Sequence, residues 1–159
     1  MNLYLMDDLI EHLFDVIKEK HINYRIGDAW HSDWPSTANA DINLLIYNPN
    51  WKPAYERPIQ LAHEIGHILA HHPCKNQCES VNVDDRYEEE ANEIALRLIL
   101  DYISENDIKF ETKQQLIDYF GIPESMIYPL NHLLNAQYYD IFGYHYPYRP
   151  SFGRIILNP

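Results

Sequence analysis

Apolar positions recur at helical spacing from Leu3 to Lys20, where Leu5, Leu9, Leu13, Val16 and Ile17 fall on one stripe and predict an amphipathic helix. The period then changes. In Ile22–Ile26 the alternation of Ile22, Tyr24 and Ile26 with polar neighbours predicts a short strand with those three side chains inward. Gly27–Thr37 collects Gly, Asp, Ser and Pro and reads as loop. From Ala38 the alternation returns: Ala38, Ala40, Ile42, Leu44 and Ile46 share one face, and Asn39, Asp41 and Asn43 share the other. This predicts one half-buried strand from Ala38 to Tyr47, closed by the Asn48-Pro49-Asn50 turn.

A second helix is expected to open near Pro58, since proline is tolerated at the first helical position, and to stop at Pro73. Leu61, Ile65 and Ile68 form its apolar stripe. Gly66 sits mid-helix, where glycine costs about 1 kcal/mol relative to alanine, and this implies that another backbone packs closely there. Tyr87–Ile103 predicts a further helix with Ala91, Ile94, Ala95, Leu98 and Ile99 facing the core. Shorter helices follow in Glu111–Gly121 and Pro123–Ala136, the second interrupted by Pro129. Residues 138–159 form an aromatic-rich tail. With no linker and no repeat, the chain reads as one α+β domain over residues 1–159, a small sheet packed on helices.

Composition narrows the function. Hydrophobic residues make up 46% and charged residues 23%, the balance of a water-soluble globular chain. The N-terminus lacks the basic start and apolar core of a signal peptide, and no run reaches the ~20 apolar residues needed to cross a bilayer. Cys74 and Cys78 are too few for a disulfide framework, so reduced thiols and a cytoplasmic location are expected. The net charge of −12 repels phosphate backbones and acidic membranes, which disfavours a nucleic-acid binder. The helical pair around Gly121 has the outline of a helix-turn-helix, but Ile122–Ala136 contains no Lys or Arg and reads as packing or a protein-docking face.

The chemistry lies in Gln60–Pro73, where four histidines and a glutamate interrupt an otherwise apolar helix. Burying such groups without partners is costly, roughly 2–7 kcal/mol each. His63-Glu64-Ile65-Gly66-His67 places two imidazoles one turn apart, where both can reach one Zn²⁺, and sets Glu64 beside the first to take a proton from water. The third ligand should come from a neighbouring helix. At about 100° per residue, Glu88 falls beside the core stripe of Ala91 and Ala95, whereas Glu89 and Glu93 point away and Glu90 lies at the flank. Glu88 is therefore chosen. Asn92, one turn on, is placed to accept a hydrogen bond from the non-ligating nitrogen of His63. The bland readings are core histidines, a solvated Glu88, and His71 and His72 as donors capping the helix C-terminus.

His63-Glu64-Ile65-Gly66-His67, followed by Glu88, Glu90, Ala91 and Asn92 in an E-x-E-A-N pattern, resembles the ImmA/IrrE family of metallopeptidases. The strand before the helix and the Phe120-Gly121-Ile122-Pro123 stretch resemble it too, so the likeness covers Trp34 to Ile127. Ile94 departs from the phenylalanine common in that slot, and the aromatic tail has no counterpart. The resemblance implies a zincin-like fold of gluzincin type and a zinc endopeptidase encoded by a phage or mobile element. It also implies cleavage of a helix-turn-helix repressor as the activity. Tyr55, His71, His132 and Tyr144 are candidates to stabilise the oxyanion. The alternative function is a non-catalytic module that sequesters a regulatory protein. Glu64 separates the two readings, because a binding module needs no carboxylate beside its first ligand.

Overall fold

A computed structural model of the chain describes residues 3–73 and 81–142. Cys74, Cys78, Tyr144 and the tail beyond Phe142 lie outside the described residues. Among the described residues, five α-helices and three strands follow in the order α1 (Leu3–Glu19), β1 (Asn23–Ile26), β2 (Thr37–Asn39), β3 (Leu44–Tyr47), α2 (Arg57–Leu69), α3 (Val81–Glu105), α4 (Lys113–Phe120) and α5 (Ile127–Ala136). The fold is α+β, with a mixed sheet in the order β1-β3-β2. β3 is central, parallel to β1 and antiparallel to β2.

The single strand expected from Ala38 to Tyr47 is a hairpin instead. A 3-10 turn at Ala40–Ile42 reverses the chain, and Asn43 takes the left-handed conformation with φ 50°. The polar residues that looked like a solvent-facing strand face build this reversal. Asn39 Oδ1 accepts from the Asp41 N–H at 3.1 Å, and Asn43 Nδ2 donates to the His21 carbonyl at 2.8 Å. The reversal also resets the phase of burial. Leu45 and Tyr47 enter the core, while Leu44 and Ile46 are half-buried and Ile42 is exposed. In β1, Tyr24 and Ile26 are exposed as well; only Ile22, just before the strand, is buried. β1 is an edge strand with little packed over its outer face, and Tyr24 lies against the Phe14 ring at 5.2 Å.

The loop between β1 and β2 is held by amides. Asn48 is fully buried, and its Nδ2 donates to the carbonyls of His31 and Trp34 at 2.8 and 2.6 Å. Its backbone N–H donates to Ser36 Oγ at 3.0 Å. Asn50 Nδ2 donates to the carbonyls of Asp28 and Trp30 at 2.8 and 3.0 Å. Polar loop backbone is thereby satisfied without a sheet ladder. β2 leaves this loop as the other edge of the sheet.

The core is continuous across the helices and β3, with Leu9, Leu13 and Ile17 of α1, Leu61 and Ile65 of α2, and Leu96, Ile99 and Leu100 of α3 among its members. Ala91, Ala95 and Ile99 face it as the periodicity predicts, but Ile94 and Leu98 are only half-buried. The buried arc of α3 is turned toward Leu96, Leu100 and Ile103, all fully buried. Pro129 does not break α5. It is the helix's third residue, within the first turn, where backbone N–H groups have no intrahelical partner.

α2 and α3 make the most extensive helix contact, and Gly66 is where they meet. A Cβ at this position would lie 2.7 Å from the Ala91 carbonyl oxygen and 3.0 Å from its Cα. The close approach inferred from an unfavourable mid-helix glycine is therefore real. Gly66→Ala should destabilise the protein by about 1–3 kcal/mol in urea unfolding, because overpacking overrides the helix propensity of alanine. A stabilised variant would contradict this packing.

Candidate metal centre

Because α2 and α3 touch at Gly66 and Ala91, the turns on either side face each other. His63 and His67 project from α2 and Glu88 from α3. One ligand atom from each lies within 4.8 Å of the others, a group that could hold a metal ion. The two Nε2 atoms are 3.0 Å apart, and Glu88 places Oε2 3.2 Å from His63 Nε2 and Oε1 3.6 Å from His67 Nε2. All three side chains are partly buried.

The outer nitrogens are held in turn. Asn92 is buried at the α2–α3 contact, and its Oδ1 lies 2.9 Å from His63 Nδ1. An amide oxygen only accepts, so the proton of this ring is on Nδ1 and Nε2 presents a lone pair toward the Glu88 carboxylate and His67. Electron-rich atoms converging at such distances repel unless a cation or a proton sits among them. Two imidazole nitrogens and a carboxylate are the donor set of a catalytic zinc site, so the residues fit such an ion.

His72 was expected to cap the helix and does not. α2 ends at Leu69, and His71 takes φ 56°, so the chain folds back. The His71 N–H then donates to the Ile68 carbonyl and the His72 N–H to the His67 carbonyl, each at 3.1 Å, as in a Schellman closure. Backbone groups thus cap the helix. The reversal buries His72 and sets its Nδ1 3.0 Å from His67 Nδ1, with its Nε2 3.1 Å from Glu90 Oε2. Helical periodicity could not find His72, because it lies beyond the last helical turn. His71, which continues the histidine stripe on paper, is exposed and lines a separate cavity with Lys20, Ala40 and Asn43.

The cluster opens into a cleft of about 1140 Å³. One wall is Pro35–Ala38, the entry to β2 and most of its edge; the other comes from α4 and the turn after it, including Ile117, Gly121, Ile122 and Met126. Gly121 is needed there twice over. It has φ 57°, and a Cβ on it would lie 2.7 Å from the Tyr55 ring. Glu64 is half-buried and lines the same cleft, as does Tyr55. His132 is exposed and does not line it, so among the described residues Tyr55 is the oxyanion candidate that the fold brings to the cleft.

The profile of Peptidase M78, the IrrE N-terminal-like domain, matches residues 18–128. The chain belongs to this family. The match runs from the end of α1 into α5, so it takes in both helices of the metal cluster and both walls of the cleft. No curated protein and no solved structure matches the chain. Membership of the M78 family brings a metallopeptidase-type function, a metal and a protein substrate. Among the described residues no helix is long and apolar enough to cross a membrane.

A divalent metal that engages the folded M78 site but not the unfolded chain should stabilise the fold. At a hundredfold excess over its dissociation constant, Zn²⁺ should raise the melting temperature by roughly 5–10 °C. His63→Ala and Glu88→Ala should each abolish the rise, and its persistence in either would place the ion elsewhere.

Proposed function

We propose that this M78 protein is a zinc-dependent endopeptidase acting on a small basic helix-turn-helix regulator of a phage or mobile element. The observation that carries the peptidase reading is the convergence of His63, His67 and Glu88 on one point, with Glu64 lining the same cleft. His63 and His67 through Nε2, and Glu88 through a carboxylate oxygen, would hold the zinc. Bound there, the ion supplies Lewis acidity that polarises the scissile carbonyl and makes water a stronger acid. Glu64 accepts the proton of the attacking water and returns it to the departing amine. Tyr55 donates its hydroxyl to the carbonyl oxygen as negative charge develops. A sequestering module would have no use for Glu64 in the cleft, which favours the enzyme over the binding protein.

The substrate reading draws on charge and on the sheet edge. The chain carries a net charge of −12, and Glu56 and Asp118 line the cleft beside Glu64 and Glu88. Such a field attracts a basic partner and speeds its encounter. An extended segment would pair with the edge of the sheet by main-chain hydrogen bonds. That edge is Thr37–Asn39, shorter than the Ala38–Tyr47 strand expected from the sequence.

Glu64→Gln should retain zinc and the melting temperature while losing cleavage of the regulator encoded beside it by several orders of magnitude. An active variant would remove Glu64 from the mechanism. Single proline substitutions at Thr37, Ala38 and Asn39 should impair cleavage only where the lost N–H faced the substrate, and association should weaken as salt rises. Normal cleavage by all three folded variants would rule out docking on this edge.

A further inference from the structure

Among the described residues, four helices end in the same backbone closure, with a left-handed residue followed by one whose N–H reaches back five positions. In α1, α3 and α4 the pivots are His21, Asp107 and Gly121. The residues after them are Ile22, Ile108 and Ile122, whose N–H groups bond the carbonyls of Ile17, Ile103 and Ile117 at 2.9, 2.9 and 3.0 Å. An apolar side chain belongs at this place because the closure tucks it against the helix it has just left. α2 makes the same closure, but the residue tucked in is His72, buried to 5% exposure. A polar ring in an apolar slot costs stability unless its nitrogens are satisfied, and both of them are.

We propose that His72 is a positioning residue for the metal ligand His67, and that Glu90 completes the relay. The inference rests on the metal site proposed above. The proton positions follow from the acceptor at the far end. Glu90 as a carboxylate only accepts, so the His72 proton is on Nε2, 3.1 Å from Oε2. Nδ1 of His72 is then an acceptor, and the nitrogen 3.0 Å from it, His67 Nδ1, carries the proton. His67 Nε2 is left with its lone pair directed at Glu88 and His63, the form a metal ligand needs. Tyr87 stacks on His72 with centroids 4.6 Å apart and planes at 29°, which fixes the ring's tilt. His63 receives the same service from a single amide, Asn92. His67 receives it from a ring whose own orientation is set by a carboxylate on α3, so both ligands of α2 are oriented by α3.

Long-range proton–nitrogen spectra of the zinc-loaded parent protein test the proton positions directly. We expect His72 protonated at Nε2 only and His67 at Nδ1; a His72 protonated at Nδ1 overturns the relay. His72→Phe keeps an aromatic ring against Tyr87 and removes the acceptor. Its zinc affinity, measured by chelator competition, should fall about 10–100-fold. His72→Gln restores a side-chain acceptor and should recover most of that loss, which a purely packing role for the ring would not allow. A folded His72→Phe protein that binds zinc as tightly as the parent overturns the proposal; should that variant fail to fold, the spectra of the parent decide alone. A parent that takes up no zinc overturns the relay and the metal reading together. A parent that holds zinc with the expected proton positions but cleaves nothing leaves the relay standing and removes the peptidase reading.

Discussion

The contact between Gly66 and Ala91 is the constraint on which the remaining arrangement depends. Without a Cβ at Gly66, α2 can lie close enough to α3 for main chain to meet main chain. The candidate ligands and their partners are set out around this point on both helices. Glu88 lies one turn before Ala91 and Asn92 directly after it, while His67 follows Gly66 and His63 precedes it by nearly a turn. A side chain at position 66 would press on the Ala91 main chain and hold the ring nitrogens and the carboxylate farther apart. The glycine thus sets the distance at which the donor groups meet.

The burial of polar groups at this contact is balanced within the contact itself. His63 is bound through Asn92 and His67 through His72, and both partners are among the few buried polar side chains of the described residues. Desolvation of these groups is costly only where a hydrogen bond is missing. Three of the four histidines that made this segment look anomalous, His63, His67 and His72, therefore belong to one network, which joins α2 to α3 and opens on one side to the cleft.

What could be read from the sequence follows the regularity of the backbone. Within α2 and α3 a constant 100° step places His63 and His67 together, brings Glu88 beside Ala91, and sets Asn92 against His63. The same reasoning fails where the chain turns. Asn43 and His71 both take left-handed conformations without being glycine, so neither announces a reversal. Past Asn43 the burial of the hairpin is out of phase with the alternation that precedes it. Past His71 the next histidine leaves the stripe and enters the core. Pro129 misleads in the opposite direction, because a proline in a first helical turn costs nothing that the turn had to offer.

The loop that carries the entrance to β2 is secured from within by the amides of Asn48 and Asn50, which bond to backbone carbonyls rather than to side chains. Its outward side chains supply none of these amide bonds; the Trp34 ring, at 55% exposure, lies instead against the rings of Trp30 and His31. The route of this cleft wall therefore rests largely on bonds to main chain, which do not depend on the identity of its exposed lining side chains. Substitutions at the exposed lining residues Pro35 and Thr37 can alter what the wall recognises while leaving the candidate ligands and the core unchanged, so the two can diverge at different rates among descendants of this chain.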